Sequence, residues 1–173
     1  FSLKGFGTIV TGTLIEGKIS VDDEMTIYPS EKKVKVRNLQ VHGCDVKTAY
    51  AGQRTAINLS NIKVSEIQRG DVIAQTGSVE ESMMIDVNIS LVEHCKKSLK
   101  HWDRIRIFHG TKQILCRIVP LNEDEIQYGE SGYAQLRLEE KIVAKKGDRF
   151  IIRSYSPMDT IGGGVIIDTA PKK

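Results

Sequence analysis

The chain has 173 residues, with 25 Lys and Arg against 22 Asp and Glu, and a formal net charge of +3 at pH 7. That length holds one domain or two small ones. The charge balance excludes a polybasic or polyacidic tail: split at Gly77, the first part carries 10 basic and 8 acidic residues and the remainder 15 and 14. A nucleic-acid surface must therefore come from local clustering. No apolar run is long enough to span a membrane. Cys44, Cys95 and Cys116 are widely spaced with no CxxC, which fits reduced thiols in a cytosolic protein better than a disulfide framework or a zinc site. The opening FSLKGFG carries no charged-then-apolar leader. The chain starts in strand-like sequence and stops at PKK, so it reads as a piece of a longer protein.

The first element, GFGTIVTGT at residues 5–13, has the GxxxxG spacing of a phosphate-binding loop in Gly7 and Gly12. Such a loop needs a lysine next and then a helix. Here Thr13 stands at the lysine position, and TIVTGTLIEGKIS continues as β-branched alternation. Gly5, Gly7 and Gly12 are therefore expected to serve strand bends, bulges and close backbone approach. Alternation recurs at residues 25–27 and at 33–41, where Val34, Val36, Leu39 and Val41 lean one way with an irregularity near Asn38. It returns at 53–59, 83–91, 103–110, 133–140 and 149–155. Turn signals at EGK, PSEKK, HGCD, RGD, NEDE, YGESG and KKGD separate these strands. Helix is scarce: KVSEIQRGD holds one short turn with Ser65 as candidate N-cap, and VEHCKKSLKHW is either a helical turn or a basic loop. IGGG at 161–164 reads as a glycine-rich bend entering a closing strand. The polar joint QTGSVEES at 75–82 divides two strand-rich parts, 1–77 and 78–168. Residues 169–173 read as the start of a linker. The fold class is all-β, with short, evenly spaced strands suited to small barrels.

No nucleophile stands beside a positioned base, and Ser60, His42 and Asp45 are too generic to form a catalytic set. The chain is not expected to be an enzyme. His42 beside Cys44 lacks the further ligands that a structural zinc needs, so no metal is expected. The second part holds a basic cluster that includes Lys96, Lys97, Lys100, His101, Arg104, Arg106, His109, Lys112 and Arg117. Arg104 and Arg106 alternate and so share a strand face. The cluster is either a solvated face balanced by Glu93 and Asp103 or a phosphate-binding surface.

GFGTIVTGTLIEGKISVDDEMTIYP and AGQRTAINLSNIKVSEIQRGDVIAQTG resemble the start and end of the second domain of elongation factor Tu and its relatives. HGTKQILCRIVPL and YGESGYAQLRLEEKIVAKKGDRFIIRSYS resemble the third domain. Within that family VHGCDVKTAYAGQR, FHGTKQILCRI and YSPMDTIGGGVIID resemble the selenocysteine-specific elongation factors of bacteria. The resemblance covers essentially the whole chain and implies two consecutive β-barrels of the domain 2 and domain 3 type. It also implies a preceding GTPase domain that holds GTP and magnesium, and following winged-helix modules that bind a messenger RNA hairpin. The implied partners are selenocysteyl-tRNA, the ribosome and the GTPase domain in cis, with no membrane.

By resemblance Glu66 matches the glutamate beside the terminal adenosine of the tRNA, where a carboxylate accepts a hydrogen bond from a sugar hydroxyl or base amine. Read from the residues alone, it is an ordinary helix-start glutamate. Arg69 either touches the tRNA end or pairs with Glu66 or Asp71. Arg54 matches the arginine of the aminoacyl pocket, where a permanent guanidinium charge would stabilise a selenolate; the bland alternative is a strand-end arginine facing water. His42 is a turn residue or a wall of that pocket. Further pocket residues would lie ahead of Phe1, so the pocket in this chain is incomplete. Arg104, Arg106, His109, Lys112 and Arg117 would meet the tRNA backbone. The alternative family reading is elongation factor Tu itself or the GTPase subunit of a sulfate-activating enzyme, in which such barrels act as a docking module.

Overall fold

The structure, a computed structural model, describes residues 2–3, 7–93 and 98–171. The chain divides into two compact units, Phe1–Val79 and Glu80–Lys173. Strands build both, and among the described residues no helix is long and apolar enough to cross a membrane.

The first unit contains β1 (Ser2–Leu3), β2 (Gly7–Thr13), β3 (Lys18–Ser20), β4 (Glu24–Tyr28), β5 (Lys32–Val41), β6 (Cys44–Val46), β7 (Thr48–Tyr50), β8 (Arg54–Ser60) and β9 (Val72–Ala74). Its ladder runs β1-β2-β8-β5-β4-β9, with β6 on the end of β5 and β3 paired to β7. Ile27, Val34, Val36, Leu39 and Leu59 fill its core, joined by Ile19 of β3 and Ala49 of β7. The expected irregularity in β5 is present: the register against β8 shifts between Val36 and Asn38. One extra residue turns Leu39 and Val41 back toward the side that Val34 and Val36 bury, because side chains alternate with period two. Gly7 sits in this sheet at φ +89°, and a Cβ there would lie 2.9 Å from the Leu59 carbonyl oxygen. Gly7–Thr13 is thus a strand, with Thr13 opposite Arg54 of β8, and no helix follows to present backbone N–H groups to a phosphate. Gly5 lies outside the described residues.

The second unit contains β10 (Glu81–Leu91), β11 (Leu99–Lys100), β12 (Arg104–His109), β13 (Lys112–Pro120), β14 (Glu125–Ile126), β15 (Ser131–Val143), β16 (Arg149–Ser154) and β17 (Thr160–Asp168). Six of these close into a barrel in the order β10-β15-β13-β12-β16-β17, while β11 and β14 form a separate ribbon. Alternate residues point inward: Ile85, Val87 and Ile89 from β10, Ile105 and Ile107 from β12, Leu136 and Leu138 from β15. Closure leaves this sheet with no free edge among those six strands, which removes the usual site of strand-to-strand aggregation.

Two sequence expectations change here. Gly162, Gly163 and Gly164 do not form a bend ahead of the strand; they lie inside β17. A Cβ on Gly164 would stand 2.1 Å from the Asn88 carbonyl oxygen and 2.8 Å from the Phe150 ring, so glycine is what lets β17 pass between β10 and β16. The short turn is a 3-10 turn over Val64–Glu66, with Lys63 rather than Ser65 at its N-cap. The capping acceptor is the Glu66 carboxylate, which takes the Lys63 backbone N–H at 2.8 Å. That contact closes the turn from its third residue, so a Ser cap is not needed.

Candidate nucleic-acid interface

The four candidates of the first unit lie at two different ends of its sheet. His42 and Gly43 form the two-residue turn between β5 and β6, both with positive φ, +52° and +79°. This is the geometry of a tight hairpin that matches strand twist, and it leaves the His42 side chain exposed. Arg54 opens β8 and is also exposed. Val41 faces Thr55 across the ladder, so Arg54 and His42 emerge at the same end of β5.

Glu66 belongs to the other end. Its Oε1 accepts from Lys32 Nζ at 2.5 Å, and Lys32 and Val41 are the first and last residues of the ten-residue β5, roughly 30 Å of extended strand apart. The Lys32 hydrogen bond, with that of the Lys63 backbone, holds the Glu66 carboxyl below its ordinary range. Arg69 is exposed and does not pair with either expected acid: Glu66 is taken by Lys32, and Asp71 accepts the Gln68 backbone N–H. Among the described residues neither Arg54 nor Arg69 has a carboxylate partner.

The barrel brings its basic residues together. On its outer face Arg104 of β12 lies directly opposite Arg117 of β13, and Arg117 lies directly opposite Arg137 of β15. One pleat along, Arg106 lies opposite Arg153 of β16. Ile105 and Ile107 point inward between them, so all five guanidinium groups share the outside. Like charges placed directly opposite destabilise a sheet. One acid relieves this row: Glu139 accepts from Arg104 Nε at 2.7 Å and from Nη2 at 2.6 Å. Those bonds hold the Glu139 carboxyl below its ordinary range, and the charge of Arg117 adds to the effect. Arg106 Nε is buried without an acceptor.

Aromatic rings are interleaved with the arginines. Arg104 and Arg106 lie 4.9 and 5.3 Å from the Tyr155 ring centre. Arg117 and Arg137 lie 6.0 and 5.9 Å from that of Trp102. Arg153 lies 5.3 Å from Phe108. These rings orient planar cations without neutralising them.

His109 and Lys112 behave differently. His109 Nε2 is 2.8 Å from Asp148 Oδ2, and Lys112 Nζ donates to the Lys141 carbonyl at 2.7 Å. Their side chains are 17% and 15% exposed; both hold the barrel's own turns and strands together. Lys100 stands 3.6 Å from Glu125. Lys96 and Lys97 lie outside the described residues. Residue order does not single out Arg137, which stands among the acids of β15, or Arg153, which shares β16 with Arg149. Only the ladder register puts them beside Arg117 and Arg106. Among the described residues no three His, Cys, Asp or Glu gather into a metal-holding group, and Cys44 is exposed beside the His42 turn.

Both units have counterparts in one class of protein, the β-barrel modules of translation elongation factors: the elongation factor Tu domain 2 family matches residues 7–74. The selenocysteine-specific elongation factor β-barrel domain matches residues 86–173, half of the chain, and the chain belongs to that family. That match favours it over elongation factor Tu and the sulfate-activating subunit. The selenocysteine-specific elongation factor of Desulfomicrobium baculatum is 39% identical over all of this chain, which spans 27% of that relative. The factor of the same name from Methanocaldococcus jannaschii is 31% identical over 97% of the chain, which spans 39% of it. Among solved structures, elongation factor SelB from Methanococcus maripaludis in its apo form superposes with a TM-score of 0.82 at 26% identity, over 99% of this chain and 41% of that one. A bacterial selenocysteine-specific elongation factor gives 0.76 at 28% identity, over 96% and 26%. The chain thus corresponds to less than half the length of each.

Proposed function

We propose that this chain is the tRNA-holding barrel pair of a selenocysteine-specific translation factor, which delivers selenocysteyl-tRNA to the ribosome at recoded stop codons. The observation that carries the proposal is the cross-strand row Arg104, Arg117 and Arg137, with Arg106 and Arg153 beside it. Three or more guanidinium groups fixed in register, with one carboxylate among them, suit a phosphate backbone: each planar fork presents two parallel donors to phosphate oxygens. Such contacts supply salt-sensitive affinity without reading sequence. His109 and Lys112, tied into the barrel, contribute by holding this surface in shape.

Arg54 is assigned to the aminoacyl group. A selenol is a stronger acid than a thiol or an alcohol, so a selenocysteyl side chain is anionic near neutrality. An unpaired guanidinium would favour it over a neutral seryl group by charge rather than by size. His42, at the same end of β5, would form part of the wall around it. Glu66 and Arg69 lie at the far end. The aminoacyl group is esterified to the terminal adenosine, so residues at that distance do not serve the adenosine whose aminoacyl group Arg54 holds, and Glu66 and Arg69 stand outside this pocket. GTP and magnesium would bind in a separate domain ahead of these barrels, and a messenger RNA hairpin in modules beyond them.

The test is binding of selenocysteyl-tRNA and seryl-tRNA on the same tRNA body, at two salt concentrations, with Arg54→Ala as the comparison. Tighter binding of the selenocysteyl form that Arg54→Ala abolishes is the expected result. Equal, salt-weakened binding of both would leave the barrels reading the RNA body alone. No binding of either at low salt would leave a docking module as the better reading.

A further inference from the structure

The arginine face has a feature that phosphate contact does not use. Trp102, the sole tryptophan, occupies a turn position with φ +70°, a left-handed conformation that a bulky residue rarely adopts. The turn is held in two ways: Trp102 N donates to the Ile118 carbonyl at 2.8 Å, and Arg117 Nη1 donates to the Trp102 carbonyl at 3.0 Å. The indole nevertheless stays 46% exposed. Arg117 and Arg137, from directly opposite positions on β13 and β15, both approach it from the barrel surface. A large ring is thus held against two cations, with the His101 ring tilted beside it at 5.6 Å between centres, and still keeps close to half of its surface exposed, at a position where glycine would fit without strain.

We infer that Trp102 is a base-stacking platform, and that the β12–β13–β15 face binds RNA at an unpaired nucleotide whose base lies on the indole while Arg117 and Arg137 hold the adjoining phosphates. The inference rests on the reading that this arginine face meets RNA, and it narrows that reading from any phosphate backbone to one exposing an unstacked base. Aromatic platforms inside a positive groove are the usual means of holding single strands without sequence choice. A duplex offers its phosphates to the same arginines but keeps its bases stacked.

The experiment uses this chain with two end-labelled RNA probes of equal charge at low salt, a single-stranded oligonucleotide and a blunt duplex. Trp102 emission is recorded beside RNA anisotropy, and the sole tryptophan makes the signal unambiguous. The single strand should quench the emission by more than half at saturation, the duplex much less. Trp102→Gly, which suits the left-handed turn, should weaken the single strand about tenfold and the duplex less than twofold, and Trp102→Phe should recover most of the loss. If both probes bind while emission stays constant and Trp102→Gly changes neither, the platform is overturned and the arginine reading stands. If neither probe binds, both readings fall together.

Discussion

The first unit shows its candidate residues on turns and strand ends, whereas the barrel of the second unit shows its own along the middles of paired strands. Arg54 and His42 stand at one end of β5 and Glu66 at the other, so the candidates never form one patch within the sheet. In the barrel, residues as distant in sequence as Arg104 and Arg153 are placed by register on adjacent pleats. A closed ladder gathers charges from several strands; an irregular connection places each charge singly. That difference bears on what each unit is suited to. Scattered, exposed groups suit single, separate contacts. A registered row suits a repeating polyanion.

Glycine substitution should break the comparison most strongly. Gly164→Ala drives a Cβ into the Asn88 carbonyl and the Phe150 ring, so it should destabilise the barrel by about 3 kcal/mol or more, at the upper range of overpacking. Gly12→Ala in the first unit meets nothing within 4 Å and should change stability by no more than about 0.5 kcal/mol. Thermal or urea unfolding of the two variants checks the contrast, and equal effects would contradict the assigned close approach in β17. A core truncation tests the same barrel from inside: Ile107, fully buried, should cost about 2–5 kcal/mol on change to Ala.

Charge variants should sharpen the contrast next. Arg117→Gln together with Arg137→Gln should lower RNA affinity across sequences and reduce the slope of log K against log salt by about two. Arg54→Ala should leave that slope nearly unchanged and alter only the preference between aminoacyl groups. Glu139→Gln should act in the opposite direction. It removes the row's one carboxylate and should tighten RNA binding a few-fold, read by the same titration. A slope insensitive to the double change would remove the row from the interface.

The pH dependence is expected to be small. Glu66 and Glu139 each have a folded value below the ordinary 4.5. A depressed carboxyl stabilises the fold at pH above its unfolded value and loses that contribution as pH falls through the folded one. The Glu139→Gln variant should therefore have a slightly lower urea midpoint than the parent at pH 7, with the gap closing in acid. Both groups are on the surface, where such pairs contribute little. The smallest effect concerns thiols. Burial pushes Cys116 up to about 12, so alkylation at pH 8 should label the exposed Cys44 quickly and leave Cys116 unmodified until the chain unfolds; peptide mapping decides it.

Much of this was readable from residue order. Period-two alternation located the strands at 33–41, 83–91 and 103–110, because a half-buried strand must alternate whatever it pairs with. The missing lysine after Gly12 excluded a phosphate loop, because the chemistry requires that side chain. The irregularity near Asn38 was visible as a slip in the buried parity. Ser65 is not the cap, although a serine before a glutamate fits the pattern, because the acceptor in the fold is the Glu66 carboxylate reaching back to Lys63. The IGGG run lies inside a strand rather than at a bend: glycine signals a bend as readily as it signals close packing, and only the neighbouring Asn88 carbonyl and Phe150 ring distinguish the two.

By itself, then, the order of residues determined the all-β character, the position of most strands, the resemblance to the selenocysteine-specific factors and the shared face of Arg104 and Arg106. Those are local properties, set by side-chain period, turn chemistry and motif. Tertiary structure decided which strands lie beside which. Through that it decided that Arg117, Arg137 and Arg153 join the row, that His109 and Lys112 are drawn into internal hydrogen bonds, and that Glu66 and Arg54 stand apart. Cross-strand neighbours are fixed by register and closure, which depend on the whole set of ladders and are encoded in no single stretch of the chain.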